Sequence, residues 1–335
     1  MLRIAIVGAG TIGRTHSAAY LNIENAKVTA ICDIDTGRAG SLAKEHHAKV
    51  YASPEELLEN EEIDAMDICL PTYLHKKVAI KAMDRGLHVF CEKPIAASME
   101  DAGQMRECAR KNGVKLFVGH VVRYFPAYIN ARQIISEGQI GTPKLIRTTR
   151  AGAYPCWGQN NWYSNYEQSG GVLLDLAIHD FDWILHCFGD IDRVYARNLM
   201  TKGLKNIDHG LAVLRLKNGA IAHVEGSWAY PAGAVFGTAF EVIGTKGQIE
   251  FDSKASTPLR KHVLKDGMEK ITCESPLFHK EMPFAAELQE FVNCVITNKA
   301  PAVSAEDAIK VLAVSLAAIE SSRTGQPVCP GEVAS

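Results

Sequence analysis

The sequence predicts a two-domain α/β protein: a doubly wound parallel sheet over residues 1–121, then a second α/β domain over residues 122–335. Three observations carry this. A glycine-rich turn, Gly8-Ala9-Gly10-Thr11-Ile12-Gly13, joins the first apolar strand to a helical segment. Strand and helix patterns then alternate as far as the segment Lys115–Val118. After Arg123 the pattern changes to helices and an irregular stretch, followed by segments that alternate like antiparallel strands.

The first strand, Arg3–Val7, ends at Gly8, and helical periodicity follows through Leu21. In this context Gly8 permits the tight turn, Gly10 lets the backbone approach a pyrophosphate, and Gly13 allows close packing of helix on strand. The helix start at Thr11 and Ile12 offers free N–H groups and a positive dipole end to phosphates. The next strand, Lys27–Cys32, ends at Asp33, twenty residues after Gly13. A carboxylate there accepts hydrogen bonds from the adenosine ribose hydroxyls and repels a 2′-phosphate, so NAD is expected rather than NADP. Arg38, close by, softens that preference; the plainer reading of Asp33 is a helix-capping aspartate.

Ser53-Pro54-Glu55-Glu56 has the form of a capping box with proline at the first helical position. Asp64–Cys69 reads as a strand, with Leu70-Pro71-Thr72 turning at its carboxyl end. The helix Tyr73–Arg85 stops at Gly86. Leu87–Cys91 is the next strand and runs into Glu92-Lys93-Pro94, where proline rigidifies the turn and makes it a candidate for a cis bond. Ser98–Lys111 is helical, with Asn112-Gly113 as its stop. Ligands of such sheets lie at the carboxyl ends of the strands, where Gly8, Asp33, Pro71-Thr72 and Glu92-Lys93 all fall.

In the second half, a helix at Pro126–Glu137 stops at Gly138 and leads to a strand at Lys144–Arg150. The polar stretch Ala151–Ser169 carries Tyr154, Trp157, Trp162, Tyr163 and Tyr166, as expected either of a surface for hydroxylated rings or of an oligomer contact. Trp162 is taken as its substrate contact. A helix beginning near Gly171 follows. Strands are expected at Val194–Leu199, Gly210–Leu216, Ala220–Trp228, Phe240–Ile243 and Gln248–Phe251, with closing helices at Phe284–Asn298 and Ser304–Ser322.

Composition narrows the function. At 335 residues, 47% hydrophobic and 22% charged, the chain has ordinary globular content. A net charge of −2 gives no case for nucleic acid or an anionic membrane. No run approaches the roughly 18 apolar residues of a membrane span. Met1 leads directly into a strand with no basic-then-apolar leader, so a cytoplasmic location is expected. The nine cysteines form no Cys-x-x-Cys pair, so reduced thiols are expected rather than disulfides or a thiolate metal site.

Asp175 and His179 are spaced i, i+4, which on one helix places them on one face, and Asp182 and His186 extend the stripe. Ligands on a single helix face do not surround a metal without partners from elsewhere, so no metal is expected. Acid–base work suits the pair better. Histidine, with a pKa of about 6.5, accepts a proton near working pH, and Asp175 would orient the ring. Lys93 would hold a substrate hydroxyl and stabilise developing alkoxide charge. The plainer readings are a buried Asp–His hydrogen bond holding a helix, and a surface lysine at a strand end.

The glycine turn, Asp33, the Pro71-Thr72-Tyr-Leu-His75 turn, Cys-Glu92-Lys93-Pro94 and Gly-Gly-x-Leu-x-Asp175-x-x-x-His179 together resemble the Gfo/Idh/MocA oxidoreductase family. Arg123-Tyr-Phe-Pro126, Gly226-Ser-Trp228 and Ile243-Gly-Thr-Lys-Gly247 fit it as well. The resemblance implies a Rossmann domain plus an α/β domain whose open, mainly antiparallel sheet often mediates homodimers or homotetramers. It implies reversible NAD-dependent oxidation of a secondary alcohol of a sugar, polyol or cyclitol. Lys93, Asp175 and His179 match its catalytic positions, with His179 as base, and Arg123 matches a substrate contact. Leu70, Pro71, Thr72, His75, Glu92 and Lys93 join the cofactor side. Two other readings remain: a glycosidase-like relative that uses bound NAD transiently, and a non-catalytic nucleotide sensor that keeps the fold.

Overall fold

A computed structural model describes residues 1–156, 158–200, 208–256, 258–265, 268–274 and 282–333; Trp157 lies outside them. The chain packs as two units. One comprises Met1–Val121, Trp157–Trp162 and Glu281–Ile309, the other Val122–Cys156, Tyr163–Lys280 and Lys310–Ser335.

In the first unit, strands and helices alternate as β1 (Leu2–Val7), α1 (Thr11–Tyr20), β2 (Ala26–Cys32), α2 (Thr36–His46), β3 (Lys49–Tyr51) and α3 (Pro54–Asn60). They continue as β4 (Ala65–Ile68), α4 (Thr72–Asp84), β5 (His88–Glu92), α5 (Met99–Asn112) and β6 (Leu116–Gly119). The sheet runs β3-β2-β1-β4-β5-β6 with every pair parallel. Strand order reverses direction between β1 and β4, and the crevice at their carboxyl ends is where such folds bind ligands. Local chemistry sets the boundaries. Ser53 accepts the Glu56 N–H at 3.2 Å, and Glu56 returns a bond to the Ala52 N–H, one residue before the usual reciprocal position. Gly113 closes α5 at φ 65°. Phe90 stacks on Phe117, and Phe291 packs edge-on against both. Phe291 belongs to α10 (Pro283–Thr297), so this closing helix groups with the parallel sheet rather than with the residues just before it in sequence.

The second unit holds α6 (Pro126–Ser136), β7 (Pro143–Ala153), α7 (Tyr166–Ser169), α8 (Gly171–Asp175) and α9 (Ile178–Phe188). Its strands continue as β8 (Ile191–Leu199), β9 (His209–Leu216), β10 (Ile221–Tyr230), β11 (Gly237–Gly244), β12 (Gly247–Asp252), β13 (Leu259–Lys265) and β14 (Met268–Glu274). Helix α11 (Ala305–Thr324) begins in the first unit and ends in the second, which also holds α12 (Pro330–Val333). The sheet order is β14-β13-β12-β11-β7-β10-β9-β8; only the β7–β10 pair is parallel. One face buries Val194, Ala196, Ala212, Leu214, Ala222 and Val224. The other exposes Tyr195, Leu211, Val213 and Ile221, as the period of two requires. No helix among the described residues is long and apolar enough to cross a membrane.

One sequence expectation is corrected here. The helix expected from Gly171 is broken, so Asp175 and His179 do not share one continuous helix face. The Leu176 and Ala177 N–H groups both donate to Val172 O, at 3.1 and 2.9 Å, and the His179 N–H turns to Leu176 O. Asp175 ends α8, and His179 lies in the first turn of α9. The break packs on the sheet at two glycines. A Cβ on Gly210 would lie 2.6 Å from Leu173 Cδ2, and one on Gly226 would lie 3.3 Å from Ala177 Cβ.

Candidate active site

At the carboxyl edge of the parallel sheet, Gly8 has φ +104°, and a Cβ there would stand 2.4 Å from Cys69 O. A Cβ on Gly13 would stand 1.8 Å from Gly8 O, so helix and turn pack in direct backbone contact. Gly10 differs: a Cβ there would meet nothing within 4 Å. The protein's own packing does not demand a glycine at that point, and its bare backbone leaves room for a ligand to approach. Gly10 caps α1 without any side-chain hydrogen bond, and no acidic residue occupies the first turn. Thr11 is exposed and Ile12 half-buried. The free N–H groups and dipole of α1 therefore point at open space suited to a pyrophosphate.

Asp33 is buried at the end of β2. Its Oδ2 accepts the Ala9 N–H at 2.7 Å; its Oδ1 accepts the Asp35 N–H at 2.8 Å and Arg38 Nη2 at 3.0 Å. A carboxylate offers about four lone-pair sites, so these three bonds leave one for a ribose hydroxyl. Asp35, not Asp33, caps α2. These residues fit a dinucleotide.

Two substitutions separate ligand space from packing space. Gly10→Ala is expected to keep its melting temperature while weakening NAD binding by about tenfold or more. Gly13→Ala must displace the Gly8 carbonyl and is expected to lose stability even without ligand; thermal shift with and without NAD checks both. Asp33→Ser removes the carboxylate that repels a 2′-phosphate and one acidic partner of Arg38, which keeps Asp35. It is expected to move the NADP-to-NAD affinity ratio upward by about tenfold, roughly 1.4 kcal/mol, by calorimetry.

The turn after β5 carries the half-buried Lys93, and the Lys93–Pro94 bond is cis. Glu92, buried, accepts the Lys93 N–H on Oε2 at 3.1 Å. His75, expected beside the cofactor, has no exposed surface, and a side chain without surface touches no ligand. Its Nδ1 lies 2.8 Å from Pro94 O and its Nε2 2.7 Å from Leu70 O. It ties the Leu70-Pro71-Thr72 turn to the Glu92-Lys93-Pro94 turn. Burial lowers its pKa against the pull of the two carbonyls, and the neutral ring this favours donates to one of them at a time. Thr72, also buried, opens α4 behind Pro71, again with no side-chain cap.

In the second unit Asp175 is buried at the end of α8, and His179 is half-buried at the start of α9. Two arginines hold α9 from outside it. Arg123 Nε and Nη2 reach the Asp182 carboxylate at 2.9 and 2.5 Å. Arg150 Nε reaches Asp180 Oδ2 at 2.9 Å, and its Nη2 lies 3.2 Å from Tyr128 Oη. The Arg123 side chain, expected at the substrate, is 8% exposed and pairs with Asp182. Among the loop aromatics, Tyr154 and Tyr163 pack edge-on against Trp228 of β10, which anchors the loop. Trp162 is half-buried in a 3-10 turn, Gln159–Ser164.

Sequence reasoning missed a buried group in the first unit. His16, Asp67 and Cys69 bring three ligand-type atoms within 4.8 Å of one another. His16 Nδ1 lies 2.9 Å from Asp67 Oδ2 and 3.3 Å from Cys69 Sγ, and the thiol donates to Asp67 Oδ1 at 3.4 Å. These mutual bonds account for the cluster without an ion. The available signal was an aspartate at the centre of the apolar strand Ala65-Met-Asp67-Ile68, which requires a buried partner.

Residues 2–120 match the family described as "Oxidoreductase family, NAD-binding Rossmann fold", and residues 128–250 match the "GFO/IDH/MocA C-terminal domain". The chain is 32% identical over 342 residues to the scyllo-inositol 2-dehydrogenase (NAD(+)) of Bacillus subtilis, covering 98% of this chain and 96% of that protein. It is 30% identical over 333 residues to the myo-inositol 2-dehydrogenase of Thermotoga maritima, covering 96% of each. The crystal structure of a probable dehydrogenase from Thermotoga maritima superimposes with a TM-score of 0.83 at 29% identity, over 99% of this chain and all of that one. Fold, nucleotide edge and whole-length similarity lead to one conclusion: this chain belongs to the Gfo/Idh/MocA family of NAD-binding oxidoreductases.

Proposed function

We propose that the protein oxidises a secondary alcohol of a cyclitol, polyol or sugar, with His179 as the base and Lys93 and Asp175 as its partners. The observation that carries this reading is the dinucleotide edge: an uncapped α1 N-terminus over an unfilled Gly10, with one acceptor site left on Asp33. The names of the whole-length inositol dehydrogenase relatives support the substrate class.

NAD, when bound, would supply the hydride acceptor that alcohol oxidation requires. His179 takes the hydroxyl proton onto its imidazole, and Asp175 orients that ring and stabilises its charged form. The Lys93 ammonium donates to the same oxygen and opposes the negative charge that grows on it. Arg123 supports the helix of His179 through Asp182, and Trp162 is proposed to contact the substrate. A cytoplasmic homodimer or homotetramer is proposed, built on the outer sheet face that exposes Tyr195, Leu211, Val213 and Ile221. Val213→Lys is then expected to give smaller particles in sedimentation.

The test is a steady-state panel of inositols, aldoses and sugar acids, with NAD and then NADP, read by NADH absorbance. NAD reduction that Lys93→Ala abolishes supports the reading. Silence of the intact protein across the panel shifts support to a glycosidase-like or sensing role, which a glycoside panel then separates.

A further inference from the structure

The His16 cluster has no part in the chemistry proposed above, yet it places charge where burial is costly. His16 projects from the inward face of α1 and has no exposed surface, and Asp67 at the centre of β4 has none either. The two ring nitrogens of His16 face two different carboxylates: Nδ1 lies 2.9 Å from Asp67 Oδ2, and Nε2 lies 3.3 Å from Glu92 Oε1. The second contact is poorly aligned for a hydrogen bond and acts as an ion-pair contact. A ring between two carboxylates is satisfied only when both nitrogens carry protons. Burial alone would lower the His16 pKa, but the facing Asp67 carboxylate, with a weaker bond to the Cys69 sulfur, raises it well above the ordinary value. Cys69 stays a thiol, because burial and Asp67 push its own pKa far up. Burial would raise the Glu92 carboxyl, but the facing His16 brings it below the usual value.

Buried ion pairs are weak contributors to stability, so their presence asks for another account. The outlet of this cluster is Glu92. One carboxylate oxygen faces His16 and the other accepts the Lys93 N–H. The end of β6 leaves space for that side chain, since a Cβ on Gly119 would stand 2.8 Å from Glu92 Oε1. On the far side of Lys93, His75 faces Pro94 O. The backbone is thus gripped at the residue before Lys93 and at the residue after it.

We propose that His16, anchored by Asp67 and acting through Glu92, is a positioning residue that fixes the turn on which Lys93 is presented. The inference rests on the reading of Lys93 as a reacting-side cation. A misplacement of about 1 Å in such a group costs on the order of 100-fold in rate.

Two substitutions divide the two contacts. In His16→Asn the side-chain amide stands near the Nδ1 position and keeps Asp67 but loses Glu92. In His16→Gln it stands near Nε2 and keeps Glu92. The expected result is a kcat lowered about 100-fold in His16→Asn, with NADH affinity retained, and largely preserved in His16→Gln. Exchange of the Lys93 backbone amide with deuterium, which needs no turnover, is expected to quicken about tenfold or more in the Asn variant and little in the Gln variant. Glu92→Gln, which keeps shape and removes the charge that faces His16 Nε2, replaces His16→Asn if that variant does not fold, with the same expected losses. Equal kcat in the two His16 variants, or unchanged Lys93 exchange in the Asn variant, overturns the proposal. Should the intact enzyme reduce no NAD with any polyol, the reading of function fails, and amide exchange alone decides whether His16 fixes the turn.

Discussion

His179→Ala is expected to lower kcat by about 10²–10⁴-fold while leaving NADH affinity within error, because a general base contributes to the transition state and not to cofactor binding. His179 stands half-buried at the first turn of α9, just after the chain breaks from α8. That break gives the ring a fixed departure point, and α9 is tied by Arg123–Asp182 and Arg150–Asp180. His179→Gln, which keeps a donor but accepts no proton, is expected to fall by a similar factor. Steady-state kinetics with fluorescence titration of NADH checks both. A His179→Ala enzyme within about threefold of the parent kcat would remove the histidine from proton transfer and leave it a structural residue.

Asp180→Ala is expected to destabilise the second unit by about 3–5 kcal/mol. Arg150, 6% exposed, would be left as an uncompensated charge on the buried face of β7, with only Tyr128 Oη still near its guanidinium among the contacts described above. The surrounding packing is dense: Tyr128 stands edge-on to Trp183 and to Phe240, so water has no easy entry. Replacing both partners, Arg150→Met with Asp180→Leu, is expected to recover most of the loss, since an apolar pair of similar volume carries no desolvation cost. Urea denaturation followed by hydrogen exchange in β7 and α9 measures the effect. A single-variant loss below about 1 kcal/mol would mean that the pair is hydrated and contributes like a surface bridge.

The nucleotide edge was legible from sequence because its signals are local. A glycine that needs positive φ, a strand that ends in an acid, and caps such as Ser53 and Ser98 all report their own backbone. The alternation of strand and helix then made the convergence of Gly8, Asp33 and Glu92 on one edge a matter of topology. Other features were hidden for physical reasons. Helix α2 contains Gly37 and Gly40, which weaken helical propensity, and β3 has only three residues. The segment Leu174-Asp175-Leu-Ala-Ile178-His179 contains no glycine or proline, so periodicity runs through the point where the helix breaks. The break is made by packing against Gly210 and Gly226, far along the chain. His75 was read as a cofactor contact and Arg123, by resemblance, as a substrate contact; the structure adds that His75 clamps two turns and that Arg123 pairs with Asp182, partners no local pattern reports. The grouping of α10 with the parallel sheet depends on Phe291 meeting Phe90 and Phe117, a contact that no local pattern reports.

The central claim is hydride transfer from a carbinol carbon of the substrate to NAD, and it is most directly tested by following the atom itself. Scyllo- or myo-inositol, or whichever panel member reacts, is prepared with deuterium on the reacting carbon and incubated with NAD and the intact enzyme. NMR of the recovered dinucleotide then locates the label. The account predicts one deuterium at the nicotinamide ring of NADH for each ketone formed, with transfer suppressed in His179→Ala. Deuterium returned to the product with no net NADH, or lost to water, would contradict net alcohol oxidation and favour a cycle in which NAD is only transiently reduced.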